Sequence, residues 1–301
     1  MLRFALPAFI LFIVMAPLAW AGNIALALSD SGGPYAEFAV TLGNALEDTS
    51  WKITASGKPE AIDQATARPD LIVTAGSEAF RQMLARGGNT PLIATLLPRQ
   101  SYERILAEAG KGRSRVSAIY LDQPPARQAS FLRQLLPGQK RIGMLLSNET
   151  RPLASQYRAA FNNAGLVLDS EDSDIDSTLL PAVNTLLPRV NALLAIPDGT
   201  IYKRDNIKAI LVSSYRHQRP VVAFSPAFVN AGAVAALYST PAQIARQLAD
   251  LILNLGQSLP GPMPPSLYSI AVNQNVAQAL GLSIPDETMI RRAMLADRES
   301  R

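Results

Sequence analysis

The feature that most constrains this chain is its rhythm. Short apolar runs of β type recur with stretches of helical period between them. Residues 24–28 are followed by Phe38, Leu42, Ala45 and Leu46 at helical spacing, and 71–74 by Phe80, Met83 and Leu84. Residues 92–96 are followed by Tyr102, Ile105, Leu106 and Ala109. The alternation restarts with a helix at 126–136 and a strand at 142–146. It continues through strands at 193–196, 221–224, 234–238 and 267–272. Strands that are apolar on both faces need cover on both faces. Strands separated by helices run parallel, because right-handed crossovers return the chain to the same end of the sheet. The fold class read here is α/β, with two doubly wound parallel-sheet lobes. Such sheets bind ligands beyond the carboxyl ends of their strands, so the loops that follow strands are the places to search.

Residues 1–21, MLRFALPAFILFIVMAPLAWA, are a different material. Arg3 is their one charge, Pro7 alone interrupts the apolar run, and Ala19-Trp20-Ala21 is a small-x-small ending. That is the layout of a secretory signal peptide, with cleavage expected after Ala21 and export to a bacterial periplasm. The run is shorter than the ~20 residues of a membrane span. Composition then excludes several chemistries. With no cysteine the chain has no disulfide, thiolate metal site or Cys nucleophile, and with one histidine it has no His-rich metal site. A net charge of +4 is too small to argue for a nucleic-acid partner.

The strand-following loops supply the candidates for ligand contact. Ser29 and Asp30 open a Gly-rich turn before Pro34 and Tyr35, where backbone N–H groups at a helix start can face a ligand. Gly76 and Ser77 follow the strand at 71–74 in the same way. Ser147 and Asn148 follow the strand at 142–146. Asp198, in Pro-Asp-Gly-Thr after the strand at 193–196, offers a carboxylate to a ligand amine, although Asp-Gly is also ordinary turn chemistry. Tyr238, with Tyr35, Tyr120 and Tyr202, has a ring that can stack on a planar ligand. Asp172, Asp174 and Asp176 imitate the start of a calcium loop, but Ser177 and Val183 occupy positions where that loop needs Gly and Glu. His217 is the one imidazole available to a hydrolytic triad, and its place after a helix suits a C-terminal cation. No catalytic residue, metal site or cofactor is assigned.

Several stretches together resemble a known family. They are PDLIVTAGSEAF (69–80), FLRQLLPGQKRIGMLLSNET (131–150), LLAIPDGTIYKRDNIKAIL (193–211), RPVVAFSPAFVNAGAVAALYSTPAQIARQLADLIL (219–253) and NQNVAQALGLSIPDE (273–287). They resemble segments of the ABC transporter substrate-binding proteins related to tryptophan-binding receptors. The resemblance implies a type I periplasmic-binding fold: two lobes joined by three crossover strands, here expected near 119–122, 231–238 and 267–272. It divides the chain into a first lobe at 22–121 and 232–262, a second at 122–231 and 266–290, and a charged tail at 291–301. It further implies a non-enzymatic, monomeric protein. That protein traps a small polar molecule, such as an amino acid, by hinge closure and presents it to an ABC permease. A sensing module for a membrane signalling protein would share the fold, and an α/β hydrolase is a more distant alternative.

Overall fold

The computed structural model describes residues 22–63, 68–110, 115–256 and 258–299, and the expected signal peptide lies outside them. The first lobe is a five-stranded parallel sheet: β1 (Gly22–Leu28), β2 (Trp51–Gly57), β3 (Leu71–Ala75), β4 (Leu92–Thr95) and β5 (Val116–Ile119), in the order β2-β1-β3-β4-β5. Helix α1 (Gly33–Leu46) covers one face. Helices α2 (Ser77–Ala85) and α3 (Arg99–Glu108) cover the other. The alternation of side chains decides the faces. Leu71, Val73 and Ala75 of β3 join Phe38 and Leu42, while Ile72 joins Phe80, Met83 and Tyr102.

The chain then builds the second lobe through α4 (Pro125–Leu135), β6 (Arg141–Leu146), α5 (Ala154–Asn163), β7 (Val167–Asp172), α6 (Asp176–Leu186) and β8 (Ala192–Leu194). It continues with α7 (Arg204–Arg216), β9 (Val221–Ala223), α8 (Pro226–Ala231) and β10 (Ala235–Tyr238). It returns to the first lobe as α9 (Pro241–Leu253), whose Ile244, Leu248 and Ile252 pack in the same core as Phe38 and Leu42 of α1. Finally it re-enters the second lobe as β11 (Ser269–Val272), α10 (Gln274–Ala279) and α11 (Glu287–Glu299). The second sheet has the order β11-β10-β9-β8-β6-β7, antiparallel only between β10 and β11.

Two crossings and the start of the tail differ from the sequence reading. Residues 232–238 were expected in the first lobe, but β10 pairs with β9 and β11 in the second sheet. Its residues Ala235, Ala236 and Leu237 are buried, as an interior strand requires. The second crossing therefore comes after Tyr238. The third crossing comes before the expected strand: Met263 bridges to Ile119 at the edge of the first sheet, with Tyr120 N donating to Met263 O at 2.9 Å, and β11 begins only at Ser269. The stretch at 291–299, expected as a charged tail, belongs to α11. Its Ile290 and Met294 recur at i, i+4 and are buried in the second core. Among the described residues no helix is long and apolar enough to cross a membrane.

Candidate ligand-binding site

A cavity of about 480 Å³ lies where the carboxyl ends of the two sheets meet. The first lobe supplies Pro34, Tyr35 and Glu37 at the start of α1, Leu96 and Pro98 after β4, and Leu121 after β5. The second supplies Pro197 after β8 and Phe224, Ser225 and Pro226 after β9, and Tyr238 to Pro241 form the passage between the lobes. Pro34, Pro226 and Pro241 sit in the first turns of α1, α8 and α9, where a missing N–H costs nothing, so these helices begin at the wall. Two of the three starts cap themselves. Phe228 N donates to Ser225 Oγ, and Thr240 and Gln243 exchange a reciprocal pair of bonds. The start of α1 follows Gly32 and has no side-chain cap.

Tyr35 is held from behind. Its hydroxyl hydrogen-bonds with the Ser29 side chain, and Ser29 Oγ also accepts from Ala79 N at 2.9 Å in the first turn of α2. Gly76 lets these groups approach. Its φ is +91°, and a Cβ there would lie 2.5 Å from Ser29 Oγ and 2.8 Å from the Tyr35 ring. Burial raises the Tyr35 phenol pKa, and the nearby Asp30 charge raises it further. Burial likewise raises that of Tyr238. Leu96, also on the wall, is a left-handed non-glycine residue with φ +53°. Such strain gathers at binding sites, where the surrounding structure has to maintain it.

The second-lobe loops are fixed by Asp198, which is 6% exposed. Its Oδ2 accepts from Thr150 Oγ1 at 2.6 Å and Ser147 N at 3.2 Å, and its Oδ1 from Thr200 N at 2.9 Å and Ile201 N at 3.0 Å. The carboxylate thus binds its own loops from both oxygens. Pro197, its neighbour, reaches the cavity. Phe224 is backed by Tyr202 and Phe228, with ring centroids 5.7–5.8 Å apart. The Tyr202 hydroxyl is buried with no hydrogen-bond partner among the described residues, and burial raises its pKa. Across the lobes, Arg104 of α3 lies 3.5 Å from Glu149 in the loop after β6.

Of the residues singled out from sequence, Tyr35 and Tyr238 line the cavity, and Ser29 and Gly76 stand directly behind Tyr35. Asp30 is exposed and accepts from Ser31 N. Ser77 begins α2 and is not on the wall. Ser147 is buried in the Asp198 network, and Asn148 is exposed with its N–H on Asp174. Tyr120 packs against Tyr102 in the first core, and burial pushes its pKa up to about 12. Arg151 spans Asp172 and Asp174, Lys203 pairs with Asp176, and His217 caps α7 with Nδ1 2.9 Å from Ser213 O. Among the described residues no group of three metal-ligating side chains converges. Sequence reasoning missed Leu96, Pro98, Leu121, Pro197 and Phe224. The signal was present, since each follows a parallel strand and four of them, Pro98, Leu121, Pro197 and Phe224, are the last apolar residue or the proline of that turn.

Comparison with known proteins adds to this geometry. No curated protein matches the sequence. Among solved structures, an ABC domain from Streptococcus pneumonia in complex with L-Trp has TM-score 0.59 at 18% identity, covering 90% of this chain and 98% of its own. A substrate binding protein with adhesive properties from Clostridium difficile, ligand-free and open, has TM-score 0.62 at 14% identity, covering 88% and 96%. A conserved domain protein from Vibrio cholerae has TM-score 0.59 at 17% identity, covering 91% and 98%. At these identities the likeness is one of fold, the type I periplasmic binding fold. The family profile "ABC transporter substrate binding protein" matches residues 44–294. The chain, built as two lobes around a walled cavity, belongs to the ABC transporter substrate-binding protein family.

Proposed function

We propose that the protein captures a small, flat or apolar molecule bearing an amine, an aromatic or large apolar amino acid being the simplest case. The lobes close on this ligand outside the cytoplasm, and the closed form presents it unaltered to an ABC permease. The observation that carries this reading is the wall chemistry. Tyr35 from the first lobe and Phe224 and Tyr238 from the second side present three rings to one cavity of about 480 Å³, within the size range of small-molecule sites. Among the described residues Glu37 is the one carboxylate on that wall, and no Lys or Arg lines it. An amine therefore has a charge partner, whereas a carboxylate relies on the uncapped N–H groups at the start of α1. Asp198, first considered for the amine, spends its oxygens on its own loops, so Glu37 takes that role here. The complex of the Streptococcus relative with L-Trp is consistent with this ligand class. Closure follows from differential contact, since a ligand touching both walls stabilises only the state in which they are near.

A thermal-shift screen with amino acids and neutral sugars tests the ligand class. A true ligand at about 100 times its Kd stabilises by about 2.7 kcal/mol. Aromatic or large apolar amino acids are expected to raise Tm, and the shift is expected to vanish in Phe224→Ala. A shift with sugars and none with amino acids would overturn the assignment.

A further inference from the structure

Three stretches carry the chain between the lobes: 120–124 after β5, 239–240 before α9, and 264–268 before β11. One hydroxyl touches all three. Gln123 Nε2 donates to Ser239 Oγ at 2.9 Å, and Ser239 Oγ donates to Leu267 O at 2.6 Å. Gln123 is 3% and Ser239 7% exposed, so water competes little for these bonds. A second link runs beside the first. Arg127 Nη1 donates to Gln123 Oε1 at 2.7 Å and to Pro265 O at 2.8 Å. The Gln123 amide is therefore held at both its oxygen and its nitrogen. The Arg127 guanidinium lies 5.0 Å from the centre of the Tyr268 ring. Arg291 of α11 lies 5.3 Å from the same centre and donates to Tyr268 O. Ser239 also lies between Tyr238 and Thr240 on the cavity wall. Its hydroxyl gives its one proton to Leu267 and accepts from Gln123, so it is engaged by the crossing stretches and not free for a ligand.

We propose that Ser239 is the positioning residue of the interlobe pivot: its hydroxyl ties the three crossing stretches into one knot beside the ligand wall. The proposal rests on the reading of a cleft that opens and closes. Three unlinked stretches, each with soft φ and ψ angles, would let the lobes slide and twist about several axes. Buried bonds between them remove the independent motions and leave a rotation about the knot. The same bonds fix where Tyr238 stands relative to Tyr35 at every stage of that rotation.

Distance distributions between spin labels test this directly, because the chain has no cysteine of its own. Val40→Cys in the first lobe and Val212→Cys in the second, at 62% and 43% exposed positions, report interlobe motion. Val40→Cys with Ala107→Cys, both in the first lobe, is the rigid control. In Ser239→Ala the interlobe distribution is expected to broaden while the control pair keeps its width. Gln123→Met, which cuts the same chain of bonds from the other side, is expected to do the same and serves if Ser239→Ala does not fold. An interlobe distribution wider than the control in the parent, and unchanged in both variants, would overturn the knot alone. Interlobe distributions as narrow as the control in parent and variants alike would overturn both the knot and the moving cleft. A lower Tm with unchanged distributions would show a merely structural bond and would also overturn the proposal.

Discussion

Asp198 illustrates how one buried carboxylate can hold together the loops beside a cavity. Four donors, from residues 147, 150, 200 and 201, converge on one buried carboxylate. Asp198→Ala would take the carboxylate from all four, with Ser147 N keeping its second acceptor, Thr150 Oγ1 at 3.0 Å, and unpaired buried polar groups cost about 1–3 kcal/mol each at most sites, with partial relaxation. We expect a loss of about 2–4 kcal/mol in urea unfolding, and an unchanged midpoint would refute the role. The strand-end carboxylate was legible in Pro-Asp-Gly-Thr. Its orientation was not, because Ser147 and Thr150 lie 51 and 48 residues away and only the β6–β8 pairing brings them near. Asp122 makes a pH-dependent case. Burial, opposed by the Arg99 N–H bond at 2.7 Å, lifts its carboxyl from 3.8 to about 6. A raised carboxyl pKa means the folded state takes up the proton before the unfolded chain does. Stability from this group is therefore lowest above about pH 6 and recovers as pH falls through the window between the two values. Asp122→Asn should raise stability at about pH 8 by about 1–2 kcal/mol and change little near pH 4. An equal effect at both pH values, by chemical denaturation, would contradict this.

At the level of elements, the apolar periodicity that reveals strands and helices does not say which sheet a strand joins. Residues 234–238 read as a strand from their composition alone. Their placement in the second sheet depends on pairing with β9 and β11, which no local pattern encodes. Helix α11 is the complementary case. Its Arg291, Arg292, Asp297 and Glu299 give the look of a solvated tail, while Ile290 and Met294 at 1% and 5% exposure carry it into the core. Asp297 ties it to α4 by accepting from Ser130 Oγ and Gln134 Nε2. Removing residues 287–301 takes those two side chains out of the second core and bares the apolar surface they cover, at about 1.5–3 kcal/mol each. The truncated chain should therefore melt well below the parent in a calorimetric scan, and an equal Tm would show the helix to be dispensable.

On the scale of the whole molecule, the alternation of strands and helices was sufficient to locate the cleft, because parallel sheets leave their carboxyl edges open to ligands. It was not sufficient to identify the wall. Tyr35 and Tyr238 were legible as rings beside strand ends, but Phe224 and the prolines have the composition of any buried turn until the two lobes are set opposite each other. The account as a whole claims that this space holds a small molecule and leaves it unchanged. The most direct measurement is mass spectrometry of the protein purified under native conditions from its own cells, with the released compound returned to fresh protein and analysed again. The account predicts one compound in near-stoichiometric amount, absent from protein carrying both Tyr35→Ala and Phe224→Ala, and recovered intact after incubation. A compound that returns chemically altered, or one retained equally by the doubly substituted protein, would contradict it.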